Sequence, residues 1–266
     1  MKQVVVGGLT FDVTLGGSVE APAILLLHGF PQSSHCWRQV IPHLADYRVI
    51  APDQRGYSPG ARPDSYRVQE LAADAIGILD ALGIEQAHVV GHDWGAAVAW
   101  QLGARHPSRV RTLTAISVPH PRAFIEALRT DDEQRQKSLY MRDFAQPGYD
   151  EVLLAEDAVL FRGMFGPAPA DIEHMLAMAR QPGALAAWLR WYGDQRLEDI
   201  VDTPVVTVPT MHVWSDGDVA LGRAGAEGTA AWVSASYRFE VLQGVSHWIP
   251  EEAPDALAGL LKEHCR

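Results

Sequence analysis

Cysteine is scarce: Cys36 and Cys265 are the only two in 266 residues. Two thiols so far apart do not make the disulfide framework of a secreted domain, so a reducing, cytoplasmic setting is expected. Cys36 lacks any motif that would activate it as a nucleophile. Long apolar runs are also missing. No stretch approaches the ~20 residues that span a bilayer. Val4, Val5 and Val6 after Lys2 are too few for the core of a secretion signal. Positive charge is in the minority, with 22 Lys and Arg against 33 Asp and Glu and a net charge of −11. That balance speaks against nucleic acid or an anionic membrane as the main partner. The eleven histidines are scattered, and neither a metal site nor a cofactor is expected.

What the chain does have is a 47% hydrophobic composition, enough for a sizeable core. Its short apolar runs alternate with helical patterns. Leu9 to Leu15, Ala23 to Leu27, Tyr47 to Ala51, Ala87 to Gly91 and Val110 to Ser117 read as strands. Most are apolar throughout rather than alternating, as strands covered on both faces should be. Val68, Leu71, Ala72, Ala75, Leu79 and Leu82 recur at helical spacing, with Gly83 placed to stop the helix, and Trp94 to Arg105 reads as another. This order predicts an α/β protein with a mostly parallel sheet and helices on both faces.

The pattern changes after Pro119. Helical periodicity runs to about Val201 with no convincing strand, punctuated by Pro147-Gly148, Gly166-Pro167 and Pro182-Gly183. Strands resume at Val208 to Trp214 and Tyr237 to Leu242, and a helix from Pro254 to Lys262 closes the chain. The expected organisation is a core of residues 1–120 and 202–266, interrupted by a helical cap over 121–201.

The stretch Val89-Val90-Gly91-His92-Asp93-Trp94-Gly95-Ala96-Ala97 follows a buried strand and opens a helix. Gly91 and Gly95 flank Asp93 at two residues on either side. This is the spacing of a nucleophile elbow, G-x-(nucleophile)-x-G, with aspartate where serine is usual. A helix N-terminus beneath the turn favours a carboxylate there. Leu27-His28-Gly29-Phe30-Pro31, a sharp turn after another buried strand, can aim the Phe30 N–H beside the elbow. With the Trp94 N–H it would make an oxyanion hole. His247 stands on a loop after the last strand, in the order nucleophile, acid, histidine. The acid lies in Val213-Trp214-Ser215-Asp216-Gly217-Asp218, as Asp218 or Asp216.

On these motifs the chain resembles the epoxide hydrolases of the α/β-hydrolase superfamily, with haloalkane dehalogenases as close cousins. The resemblance covers nearly the whole chain and is densest over His28 to Pro31, Asp53 to Ser58, Gly91 to Ala96, Trp214 to Asp218 and around His247. It implies an α/β-hydrolase fold with an inserted helical cap, and it puts the acid at Asp218. Two cap tyrosines that hydrogen-bond the epoxide oxygen are part of the likeness. Tyr140 lies seven residues before Pro147-Gly148, and Tyr192 follows Trp191 after Pro182-Gly183.

The chemistry so implied uses no cofactor. Asp93 attacks carbon and forms an ester, Tyr140 and Tyr192 serve the opening oxygen, and water activated by His247 and Asp218 releases a diol. The partner is a small apolar epoxide, and monomer and homodimer both stay open. A dehalogenase, with the Trp94 indole as a halide donor, is the nearest rival, and another Asp-nucleophile hydrolase that merely inherits the cap is a second. A non-catalytic ligand-binding homologue is a rival of another class. Trp37, Trp94, Trp188 and Phe144 are candidates to line an apolar pocket.

Overall fold

The computed structural model describes residues 1–266 except Pro167 and Pro169. Half of the Gly166-Pro167 pair thus lies outside the described residues. Eight strands form one sheet: β1 (Lys2–Val6), β2 (Leu9–Gly16), β3 (Ala23–Leu27), β4 (Arg48–Pro52), β5 (Ala87–His92), β6 (Val110–Ile116), β7 (Thr210–Gly217) and β8 (Tyr237–Ser246). Their order is β1-β2-β4-β3-β5-β6-β7-β8. The β1–β2 and β2–β4 pairs are antiparallel and the other five are parallel. Every residue of β3 and β5 is buried, because helices cover both faces of the central strands.

The period of two in β3 divides the core. Leu25 and Leu27 face Leu71 and Leu79 of α1 (Val68–Ala81) and Val98 and Leu102 of α2 (Trp94–Arg105). Ile24 and Leu26 face the opposite way, toward Trp37 and toward Leu257 and Leu261 of the C-terminal helix, Pro254–His264. Ridges of apolar residues at helical spacing on α1 thus meet the apolar pleat of the sheet.

Among the described residues seven helices intervene between β6 and β7: α3 (Pro121–Thr130), α4 (Asp132–Lys137), α5 (Tyr140–Phe144), α6 (Tyr149–Gly163), α7 (Ile172–Ala179), α8 (Ala184–Gly193) and α9 (Leu197–Val201). Among the described residues no strand occurs there. The first and last pack on each other, and α8 anchors the middle. Its Trp188 stacks on Tyr57 with ring centroids 4.3 Å apart, and the Trp188 and Trp191 indoles donate to the carbonyls of Gly56 and Arg55. Arg67 at the start of α1 closes a bidentate pair on Asp199 of α9.

The sequence reading missed β1 and the short helix α10 (Arg223–Gly228) that follows β7. β1 is an edge strand with one buried residue, Val4, so it lacks the apolar run that marks the others. Among the described residues no helix is long and apolar enough to cross a membrane.

Candidate active site

The β5–α2 junction turns so tightly that Asp93 sits at φ 53° and ψ −123°, a conformation non-glycine residues rarely adopt. Closely packed backbone explains the flanking glycines. A Cβ on Gly91 would collide with the Gly95 carbonyl, and one on Gly95 with the Leu27 carbonyl. Gly29 in the neighbouring turn is needed for the same reason, since a Cβ there would overlap the Asp93 carboxylate. The result is a buried carboxylate held at the mouth of α2 with no side-chain bond to its own helix.

Three of the expected partners surround it. The Phe30 N–H donates to Asp93 Oδ1 at 2.7 Å. His247 Nε2 lies 3.5 Å from Asp93 Oδ2, and its Nδ1 lies 2.8 Å from Asp218 Oδ2. Trp94 opens α2, where the first backbone N–H groups have no intrahelical acceptor. Asp218 is 2% exposed and its other oxygen accepts the Ala220 and Leu221 N–H groups at 2.8 and 2.9 Å. Asp216 is exposed and turned away, accepting the Gly244 N–H at 2.6 Å.

The charges follow from this packing. Burial alone would raise the Asp218 carboxyl, but the His247 charge, the hydrogen bond to it and the two backbone donors hold it below the usual range. For His247 burial opposes the charged form. The Asp218 carboxylate, its hydrogen bond and Asp93 outweigh that and push the imidazole up to about 10. The free site is therefore an imidazolium clasped between two carboxylates at neutral pH.

Tyr140 at the start of α5 and Tyr192 near the end of α8 come together over Asp93, their ring centroids 6.1 Å apart. Both line the two cavities that Asp93 also lines. Burial, with the Asp93 charge adding to it, raises both phenols above their ordinary range, so both stay protonated donors. Of the four aromatics named as pocket candidates, for each of which core packing is the commoner alternative, Trp94 and Phe144 line these cavities. Trp37 and Trp188 do not. Trp37 is buried under the opposite face of the sheet, and Trp188 is spent on Tyr57 and Gly56.

Four side chains that sequence reasoning passed over support the site. Gln134 of α4 is fully buried, and its amide donates to Ala220 O at 2.9 Å and accepts from Gly222 N at 2.7 Å. Lys137, on the same helix, donates to Asp218 O at 2.6 Å. His92, beside Asp93, donates its Nε2–H to the His247 carbonyl at 2.8 Å, and Ser117 Oγ donates to the same oxygen at 3.3 Å. A polar residue within a helix that must be buried is a faint signal, and nothing in the sequence says what it meets.

His88 and His92 stand four residues apart, which on a helix would suit a metal. On β5 that spacing separates them by ~13 Å. His88 is bonded to Thr112 and His92 to the His247 carbonyl. Among the described residues no group of three or more His, Cys, Asp or Glu could hold an ion.

A parallel sheet with helices on both faces, a strained strand–helix elbow and an acid–histidine pair after β7 and β8 define an α/β-hydrolase. The family described by the alpha/beta hydrolase fold matches residues 22–254. The chain belongs to the α/β-hydrolase superfamily, in its epoxide hydrolase group. It is 36% identical to the AB hydrolase superfamily protein YfhM of Bacillus subtilis, over 97% of this chain and 95% of that protein. It is 32% identical to epoxide hydrolase A of Mycobacterium tuberculosis, over 96% of this chain and 94% of that one. Among solved structures it is similar to one of the novel epoxide hydrolases from metagenomes of hot environments. There the TM-score is 0.90 at 29% identity, covering 100% of this chain and 98% of that one.

Proposed function

We propose that the protein opens epoxides to vicinal diols through an ester on Asp93, beneath a cap formed by residues 121–201. The observation that carries this reading is the convergence of two protonated tyrosines, Tyr140 and Tyr192, on cavities shared with the Asp93 carboxylate. Relatives named as epoxide hydrolases support it. Two free, buried cysteines suit a cytoplasmic setting.

Asp93 Oδ2 attacks one ring carbon and the C–O bond breaks, its electron pair staying on oxygen. A tyrosine hydroxyl donates to that oxygen as charge develops. Forming the ester removes the Asp93 charge, so one of the two carboxylates holding His247 protonated is gone. The imidazolium then gives up its proton, which replaces the one the tyrosine transferred. The neutral His247, oriented by Asp218, next takes a proton from water. Hydroxide adds to the Asp93 Cγ, and the Phe30 and Trp94 N–H groups hold the oxyanion. Collapse expels the diol, which carries off the remaining water proton, and restores the Asp93 carboxylate and the His247 imidazolium.

The test is turnover of an aryl epoxide by the purified protein, scored as diol, beside a haloalkane, scored as halide. Diol release by the wild type, lost in Asp93→Ala with an unchanged circular dichroism spectrum, is expected. Halide release without diol overturns the reading in favour of a dehalogenase. No product from either favours a ligand-binding role.

A further inference from the structure

Among the described residues Glu251 is the one buried glutamate, 3% exposed. It sits in a single helical turn, Ile249–Glu252, four residues after His247. It lines neither cavity beside Asp93 and takes no part in the steps proposed above. A carboxylate removed from water is costly to hold unless it is paired and hydrogen-bonded, so its partners show what it is held for.

Those partners lie on the oxyanion turn and just beyond it. Gln32 Nε2 donates to Glu251 Oε2 at 2.7 Å, and Arg38 Nη1 donates to Glu251 Oε1. Gln32 is itself buried and closes the turn, its N–H donating to Gly29 O at 2.9 Å across Phe30 and Pro31. The Gln32 amide has no other hydrogen bond among the described residues. Arg38 lies in the short helix Ser34–Gln39 that continues from the turn. On the other side the backbone of Glu251 is fixed to the His247 loop. The Ile249 N–H donates to the His247 carbonyl and the Glu251 N–H to the Trp248 carbonyl, each at 3.0 Å. One side chain therefore spans the gap between the turn that carries the Phe30 donor and the loop that carries His247.

We propose that Glu251 is a positioning residue for ester hydrolysis, which by gripping Gln32 fixes the Phe30 donor and His247 at their working separation. The inference rests on the Asp93 ester proposed above. Alkylation uses Asp93 Oδ2 and the cap tyrosines, while the Phe30 N–H meets the other oxygen, Oδ1. Hydrolysis needs both ends of the clamp at once. His247 takes a proton from water as the Phe30 N–H receives the oxyanion, so a drift of either end is felt in the second step. The cluster also touches the cap: His35 Nε2 lies 3.1 Å from Asp171 Oδ2, and its ring stacks on His174 of α7. Clamp and cap can be tested apart, because the His35 side chain bonds Asp171 and not Glu251.

The test is rapid-quench single-turnover kinetics of the full-length protein with styrene oxide, following formation and decay of the Asp93 ester. Glu251→Ala should slow decay by about tenfold to a hundredfold, at most the loss of a whole oxyanion donor, and leave formation near the wild-type rate. Gln32→Leu should do the same, and the two losses together should be less than additive, since both cut one contact. Glu251→Gln leaves one oxygen for two donors and no charge opposite Arg38, so its decay should also be slow. Exchanging the partners, Gln32→Glu with Glu251→Gln, restores a carboxylate–amide bond beside Arg38 and should bring decay back toward wild type. His35→Asn should leave decay unchanged. Wild-type decay in Glu251→Ala, equal slowing of both steps, or an exchanged pair no faster than Glu251→Gln overturns the inference and leaves the ester standing. So does His35→Asn slowing decay as much as Glu251→Ala, which would trace the effect to the cap. If Glu251→Ala does not fold, the exchanged pair against Glu251→Gln decides. Absence of any ester and any diol in the wild type overturns the functional reading, and this inference with it.

Discussion

His247 Nδ1 meets Asp218 Oδ2 at 2.8 Å, with both side chains buried, and its opposite nitrogen faces Asp93 Oδ2 at 3.5 Å. One imidazole thus links two carboxylates carried at the ends of β5 and β7, the strands on either side of β6. Its protonation state couples the stability of the fold to the chemistry.

The folded-state value of about 10 lies above the ordinary histidine value of 6.5. A raised value means that the folded protein binds the proton more tightly than the unfolded chain does. The resulting stabilisation is fully present below pH 6.5 and is lost as the pH rises through about 10. His247→Gln has no such proton. The difference in Tm between wild type and His247→Gln should therefore move against the wild type between pH 6.5 and 10. Thermal melts across that range check it, and a difference that stays flat with pH would contradict the clasped imidazolium.

The same variant separates the two chemical steps. With His247→Gln, Asp93 keeps its nucleophilic oxygen but no group takes a proton from water. Intact-mass spectrometry after incubation with an aryl epoxide should show protein heavier by one substrate, mapped to the peptide containing Asp93. An unmodified variant that still binds substrate would remove His247 from the water-activating role.

Asp218→Asn should slow ester hydrolysis on the order of 10²–10⁴-fold, because a neutral amide supports the imidazolium less well and can present the wrong group to Nδ1. Asp216→Asn should leave the rate within about twofold, since the Asp216 carboxylate is exposed and bonded to the Gly244 N–H. Single-turnover decay of the ester in each variant is the measurement. A larger effect at Asp216 would reverse the assignment.

Asp218 is also held from above. Gln134 of α4 bridges Ala220 O and Gly222 N, and Lys137 reaches the Asp218 carbonyl. Gln134→Leu strands the buried Gly222 N–H, at a cost of about 1–3 kcal/mol, and frees the half-buried Ala220 carbonyl. It should lower Tm and slow ester hydrolysis more than alkylation. In combination with Asp218→Asn its kinetic effect should be less than additive, because both act through the same carboxylate. Equal slowing of both steps, or full additivity, would mean that Gln134 only stabilises the fold.

Gln134 marks where sequence reading stops. β3 and β5 are legible because a strand covered on both faces is written as an unbroken apolar run. The elbow is legible because only glycine fits beside the Leu27 and Gly95 carbonyls. Gln134, by contrast, bonds the backbone of a distant loop, and backbone atoms leave no residue-specific trace. The order β1-β2-β4-β3 in the sheet is equally silent, since crossovers are set by packing. Trp37 and Trp188 fail as pocket residues for a related reason. An aromatic at a buried position says that it packs, and the sheet decides on which face.

The tyrosine pair decides between epoxide opening and halide displacement. Opening an epoxide leaves charge on an oxygen that is a poor leaving group unless it is protonated or hydrogen-bonded, whereas halide departs without a proton. Tyr140 and Tyr192 stand over Asp93 with their phenols raised by burial, so they remain protonated and offer donors through neutral pH. Substituting Phe for either removes one hydroxyl and leaves the ring contacts with Phe144 in place. General acid catalysis contributes about 10²–10⁴-fold, so Tyr140→Phe with Tyr192→Phe should nearly silence alkylation of Asp93. Each single variant should be milder, since the remaining hydroxyl still reaches the oxygen, and the losses should not add. Ester hydrolysis, once the ester is formed, should be slowed far less. Rapid-quench measurement of ester formation in the two single variants and the double variant checks this. Near-wild-type alkylation in the double variant, with a Tm change as the only effect, would reduce the tyrosines to packing and return the dehalogenase reading to the front.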